Sequence, residues 1–142
     1  MKKNILIVNG SNLNLLGRRE VAIYGSKTFK EVKTRLQTLY PAVLIDYFQS
    51  NKEDAIVEKI QKAEKKYMAI IINGGAFTHT SVAIADAIRA VTIPAIEVHI
   101  SNIYAREEYR KKSFLSSCCK GSICGLGIDG YRLAVEHIIS EY

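Results

Sequence analysis

Two side chains in this sequence could move protons in company that suits the task. His99 follows the apolar run Ala95–Val98 and opens the polar string His99-Ile100-Ser101-Asn102, which leads on to Arg106 and Arg110. A histidine ionises near neutral pH, so it can serve as a general acid or a general base. Tyr24 follows Arg18 and Arg19. A phenol in water keeps its proton to about pH 10, so a tyrosine base needs a neighbouring cation that favours the phenolate. Arginine is such a cation at every working pH. Two more polar strings stand apart from the rest. Asn9-Gly10-Ser11-Asn12-Leu13-Asn14-Leu15-Leu16-Gly17 follows Ile5–Val8, and Asn73-Gly74-Gly75-Ala76-Phe77-Thr78-His79-Thr80-Ser81 follows Ala69–Ile72. Asn73, Gly75 and the backbone amides after His99 could hold a carboxylate or an oxyanion. Taken singly, a strand-end histidine is more often structural, and Asn and Gly are ordinary turn residues.

The elements that carry these strings decide whether they meet. Five short apolar runs read as strands: Ile5–Val8, Val43–Phe48, Ala69–Ile72, Ala95–Val98 and Gly121–Cys124. Near-continuous Ile and Val usage marks strands buried on both faces, as in a parallel sheet covered by helices. Helical patterns separate them. Thr28-Phe29-Lys30-Glu31 has capping-box spacing ahead of Val32, Leu36 and Leu39, and Pro41 stops that helix. Ser50-Asn51-Lys52-Glu53 repeats the spacing ahead of Ile56, Ile60, Ala63 and Tyr67. Thr80 or Ser81 can cap a third helix running to about Ala90, a short helical segment follows Asn102, and the last helix starts near Ile128 and buries some of Leu133, Ala134, Val135, Ile138 and Ile139. The alternation predicts one catalytic domain over residues 1–142: a flavodoxin-like, doubly wound α/β sheet of five parallel strands in the order 2-1-3-4-5, with helices on both faces. Ligands then bind outside the carboxyl ends of strands 1 and 3, where all three polar strings converge. The connection Ser11–Lys27 is long for its kind, and residues of about 17–27, including Arg19 and Tyr24, are expected to form a lid.

Composition narrows the function classes. The chain has 142 residues, 48% of them hydrophobic and 24% charged, with a net charge of +6, as in a globular protein that favours anionic partners. The basic pairs Lys2-Lys3, Arg18-Arg19, Lys65-Lys66 and Lys111-Lys112 are dispersed, with no aromatic interleaving of the kind that reads nucleic acid. A small anionic substrate is the better match, and salt-dependent binding to random DNA would separate the two classes. The apolar runs are too short to span a bilayer, and the start, Met1-Lys2-Lys3-Asn4-Ile5, is too short in its apolar stretch for a secretory signal, so a cytoplasmic location is expected. Cys118, Cys119 and Cys124 form neither a disulfide framework nor a metal-ligand spacing. Gly125-Leu126-Gly127-Ile128-Asp129-Gly130 matches G-x-G-x-x-G, but only Tyr131–Tyr142 follow, too few for the rest of a dinucleotide-binding unit, so a tight turn is the better reading. A flavin-binding electron carrier remains the rival within the same fold, since fold alone does not fix function; a retained flavin would reveal it.

Taken in order, these strings resemble type II 3-dehydroquinate dehydratases over essentially the whole chain. The matching blocks are Asn9–Gly17, Arg19 with Tyr24-Gly25, Phe48-Gln49-Ser50-Asn51, Gly75–Ser81, and Glu97-Val98-His99-Ile100-Ser101-Asn102 with Arg106 to Arg110. The resemblance implies reversible dehydration of 3-dehydroquinate to 3-dehydroshikimate, by anti elimination through an enolate, with neither metal nor organic cofactor. It implies that Tyr24 removes the proton beside the substrate ketone, that Arg19 keeps Tyr24 ionised, and that Asn12 stabilises the enolate through an ordered water. His99 protonates the departing hydroxyl and Glu97 orients His99. Asn73, Ile100 and Ser101 hold the substrate carboxylate, the latter two through backbone amides, His79 and Arg110 bind the ring hydroxyls, and Gly75 is a further substrate-binding residue. Asp86 reaches the site of a neighbouring subunit, in a homododecamer built from trimers. Ser11, Gly74 and Val21 stand where such sequences commonly carry proline, and Asp54 where they carry glycine. Loss of proline loosens a loop.

Overall fold

The computed structural model describes residues 3–142; Met1 and Lys2 of the basic start lie outside the described residues. Five strands, β1 (Lys3–Asn9), β2 (Val43–Gln49), β3 (Ala69–Asn73), β4 (Ala95–His99) and β5 (Gly121–Cys124), form one sheet in the order β2-β1-β3-β4-β5. Every pairing is parallel, as the largely apolar runs predict. The helices are α1 (Val21–Tyr24), α2 (Phe29–Leu39), α3 (Glu53–Ala63), α4 (Val82–Ala90) and α5 (Asp129–Glu141). Successive β1 side chains point to opposite faces. Ile5 and Ile7 join the core with α2 and α5, whereas Leu6 and Val8 join the core with α3 and α4. Both faces are buried, so truncating a residue such as the fully buried Ile71 to alanine costs about 2–5 kcal/mol.

Register brings the polar strand ends together. Asn9 is level with Gln49 on one side and Asn73 on the other, and His99 is level with Cys124. Where β1 and β3 end, the Gly10 amide donates to the Asn73 carbonyl at 2.7 Å. A Cβ on Gly10 would lie 2.0 Å from the Gly74 carbonyl oxygen, so only glycine lets these two loops cross so closely.

Helix starts follow the sequence in two cases and depart from it in one. Thr28 caps α2 by accepting from the Glu31 amide, and Ser81, rather than Thr80, caps α4 by accepting from the Ile84 amide. The box expected at Ser50 does not form: Ser50 Oγ accepts from the Lys52 amide in a tight turn, and Glu53 accepts a hydrogen bond from Ser81 of the neighbouring helix at 2.6 Å. Leu39, expected on the apolar stripe of α2, is exposed at the fraying end of that helix. The segment after Asn102 is a pair of 3-10 turns, Ile103–Ala105 and Glu108–Lys111, with a third at Ser116–Cys118. On α5 the buried side chains include Tyr131, Ala134, Val135 and Ile138.

The glycine-rich turn has a structural duty. Gly125 and Gly127, both with positive φ, donate their amides to the carbonyls of His99 and Ile100 at 3.2 and 3.0 Å. A Cβ on Gly130 would lie 3.1 Å from Val98, so glycine lets α5 approach the sheet. These amides brace the end of β4.

Candidate active site

A cavity of about 90 Å³ opens at the carboxyl ends of β1, β3 and β4. Its walls come from the three polar strings and from the Ser11–Lys27 connection. That connection is not featureless: it holds a 3-10 turn, Leu13–Leu15, and the single helical turn α1. Glu20, immediately before α1, adopts left-handed backbone (φ 36°), which is strained for a residue other than glycine. The turn it starts delivers Tyr24 inward, where the residue is buried.

Two arginines hold the Tyr24 hydroxyl. Arg106 Nη1 donates to Tyr24 Oη at 2.7 Å, and Arg19 Nη2 donates at 3.4 Å. The Arg19 guanidinium also lies over the Tyr24 ring, 4.4 Å from its centroid. Cations this close to an oxygen stabilise negative charge on it. Arg106 further donates to Ser101 Oγ at 3.1 Å and thereby ties the Tyr24 side of the cavity to the end of β4.

A second wall is built on β4. Glu97 is 1% exposed, yet its carboxylate accepts hydrogen bonds from Ser113 (2.6 Å), Ser116 (2.5 Å) and Ser122 (2.8 Å). Burial alone would raise its pKa; His99 and the serine hydroxyls reverse that and lower it to about 2. His99 Nε2 lies 3.0 Å from Glu97 Oε2, off the line of a straight N–H···O bond, so the contact is chiefly electrostatic. With Nε2 buried against Glu97, Nδ1 is the ring nitrogen left toward the cavity.

The remaining walls are polar and braced from behind. Asn12 takes left-handed backbone (φ 67°), tolerable for asparagine, and its amide donates to Asn51 Oδ1 at 2.9 Å. Gln49 Nε2 bonds both the Gly10 carbonyl and Asn51 Oδ1, so the Gln49-Ser50-Asn51 block positions the Asn12 loop. Asn73 Oδ1 accepts from the Gly75 amide, and Asn73 Nδ2 donates to the hydroxyl of the fully buried Tyr131, which donates to Asn9 Oδ1. This chain fixes the amide orientation of Asn73. His79 Nδ1 donates to the Lys112 carbonyl at 2.7 Å, leaving Nε2 as an acceptor. Burial lowers the His79 pKa, with the charges of His99 and Arg110 acting in the same direction. Arg110 Nε donates to Glu107 at 2.6 Å, and the same carboxylate lies 3.7 Å from Arg106.

The cavity therefore brings together Tyr24, Arg19, Asn12, His99, Asn73, Gly75, His79, Ile100, Ser101 and Arg110, all of them candidates from the sequence. Glu97 stands behind His99 rather than on the surface of the cavity. Asp86 is not among the lining residues; it is exposed on α4 and pairs with Arg89 at 3.7 Å. The sequence reading passes over Arg106 as a partner of Tyr24, although its place after the β4 string marks it. It also misses Ser113, Ser116, Ser122 and Tyr131, whose residue types carry no motif.

Three cationic side chains, two histidines and several amide donors around one cavity suit a small polar anion and proton transfer from more than one wall. Among the described residues no three histidine, cysteine or acidic side chains converge in a way that could hold a metal ion. The three cysteines are free thiols, and burial, with Glu97 adding to it, pushes Cys119 up to about 12. No described helix is long and apolar enough to cross a membrane.

Comparison with known proteins adds independent findings. The family model for class II dehydroquinases matches residues 3–139. A 3-dehydroquinate dehydratase of Actinobacillus pleuropneumoniae is 52% identical over 141 residues, covering 98% of this chain and 92% of that protein. Another, of Clostridium botulinum, is 51% identical over 140 residues, covering 97% and 95%. The crystal structure of a type II dehydroquinase from Butyrivibrio crossotus matches with a TM-score of 0.93 at 41% identity, covering 96% of this chain and 97% of that one.

Proposed function

The chain belongs to the class II dehydroquinase family, a family of hydro-lyases, and on that premise we propose that its cavity dehydrates 3-dehydroquinate to 3-dehydroshikimate, reversibly, by anti elimination through an enolate. Tyr24, as phenolate, takes the proton from the carbon beside the ketone. The C–H electron pair moves into the enolate, which Asn12 stabilises through a water. The enolate then re-forms the ketone as the C–O bond of the tertiary hydroxyl breaks. His99 donates the proton that carries the hydroxyl away as water, and Glu97 balances the charge on its imidazolium. Asn73 and the amides of Ile100 and Ser101 take the carboxylate, with Gly75 beside them. His79 and Arg110 take the ring hydroxyls.

The observation that carries this reading is the Tyr24 hydroxyl within hydrogen-bond reach of two guanidinium groups, at 2.7 and 3.4 Å, in the same cavity as His99 backed by Glu97. A base and an acid on separate walls are what an elimination with departure from opposite faces requires. In this reading Arg106, at 2.7 Å, is the closer partner of the Tyr24 hydroxyl, with Arg19 at 3.4 Å. Residues 17–27 act as the lid, and residues 1–142 form one catalytic domain.

Assembly belongs to the same proposal. Asp86 and Val82 are both exposed, four residues apart on one face of α4, which supports contact of that face with another copy of the chain. There Asp86 completes a neighbour's site in a dodecamer of trimers, in the cytoplasm and with no cofactor. The direct test is enone formation from 3-dehydroquinate, followed by ultraviolet absorbance with purified protein. Turnover is expected; folded, assembled protein that leaves the substrate unchanged would end this reading.

A further inference from the structure

The Ser- and Cys-rich stretch from Ser113 to Cys124 takes no part in substrate binding as described, yet it supplies all three hydroxyls on Glu97. We infer that Ser122 is a positioning residue for the acid wall: its hydroxyl holds the Glu97 carboxylate in the orientation that faces His99, so that loss of the substrate hydroxyl depends on Ser122 while proton abstraction does not. The inference rests on His99 being the acid of the proposed reaction.

The register of β4 and β5 sets Ser122 directly beside Glu97. Ser122 Oγ donates to Glu97 Oε1 and, among the described residues, makes no other side-chain hydrogen bond. Ser113 donates to Oε2 while its Oγ accepts the amides of Leu115 and Ser116, so that hydroxyl also builds the local turn. Ser116 shares Oε1 with Ser122, and Oε2 faces His99. A carboxylate offers about four acceptor positions; the three hydroxyls take three of them, and His99 Nε2 stands 3.0 Å from Oε2. With Ser122 lost, one position empties on a buried charge, and the carboxylate can turn away from the ring. The other titratable groups near Glu97 are His99 on the same strand, Cys119 beyond the 3-10 turn, and His79 across the cavity.

The test uses Ser122→Ala, Ser122→Cys and Ser122→Thr in the assembled enzyme, with 3-dehydroquinate in deuterated water. For Ser122→Ala, kcat should fall about tenfold, as for loss of a hydrogen bond to a charged group. Deuterium should enter recovered substrate faster, relative to product formed, than in the parent enzyme. The alkaline limb of the kcat–pH profile, which reports the general acid, should also move. Ser122→Cys, a poor donor of similar size, should follow the alanine variant, and Ser122→Thr should restore both readouts. Parent values of kcat, exchange ratio and pH profile in Ser122→Ala and Ser122→Cys would overturn the inference, as would a folded Ser122→Thr no better than Ser122→Ala. Absence of dehydration by the parent enzyme would instead refute the proposed reaction on which this stands.

Discussion

The two walls of the cavity are built on opposite principles. On the acid wall, Glu97 and His99 lie two residues apart on a central strand, and a carboxylate 1% exposed is held by short hydroxyl donors. On the base wall, Tyr24 sits in a long connection entered through a strained Glu20, held by two long arginines, one of them, Arg19, with 21% of its side chain exposed. The contrast assigns different work to each. The acid wall keeps its geometry before substrate arrives, because a buried charge can exist only if its partners are already in place. The base wall can open for substrate, because its contacts are few and can be remade.

Removing the base should be the most damaging change. Tyr24→Phe should lower kcat by at least about 10³-fold, with KM altered far less, since general acid–base contributions reach about 10²–10⁴. Steady-state kinetics on the folded variant check this, and kcat within tenfold of the parent would take Tyr24 out of the reaction. The arginines should then differ. Arg106→Ala should cost about 10²-fold in kcat and Arg19→Ala about tenfold, because the charge-assisted bond at 2.7 Å is much the stronger. Each should add little on top of Tyr24→Phe, because groups that act as a unit are not additive. Equal losses for both arginines, or a larger one for Arg19, would reverse the assignment of Arg106 as the main partner.

A smaller effect, on stability, separates the acid wall from the base wall. Glu97 falls from an ordinary 4.5 to about 2 in the folded chain. Its ionised form therefore favours folding at every pH above about 4.5, and that contribution, about 3 kcal/mol, is lost as pH falls from there toward about 2. Urea unfolding at pH 7 and at pH 3 should show a drop that is markedly reduced in Glu97→Gln. An identical drop in both would mean that other carboxylates govern the acid sensitivity.

Much of this contrast is written in the sequence, but unevenly. The strands are legible because β1 and β3 are largely Ile, Leu, Val and Ala and β4 departs from that only at Glu97 and His99, and the order 2-1-3-4-5 is one of the few that handedness and the alternation with helices allow. Ser50 misleads because a capping box and a strand-end turn share the same residues, and Glu53 found a better partner in Ser81, 28 residues on. Arg19 is the natural partner of Tyr24 in one dimension, five residues away; Arg106 is 82 residues away and becomes a neighbour only when β4 lies beside β3. Leu39 matches the helical period but falls at the end of α2, where the stripe has already left the core. The serines around Glu97 are silent because a hydroxyl reveals its role only through what stands opposite it.

The division of labour between the walls can be tested by following deuterium entry into the α-carbon of 3-dehydroquinate alongside enone formation, for Tyr24→Phe and His99→Ala. With His99 gone, the base still works: exchange should persist while dehydration falls by orders of magnitude. With Tyr24 as phenylalanine, exchange and dehydration should vanish together. Rapid exchange in Tyr24→Phe, or loss of both in a folded His99→Ala, would contradict the assignment of base and acid to separate walls.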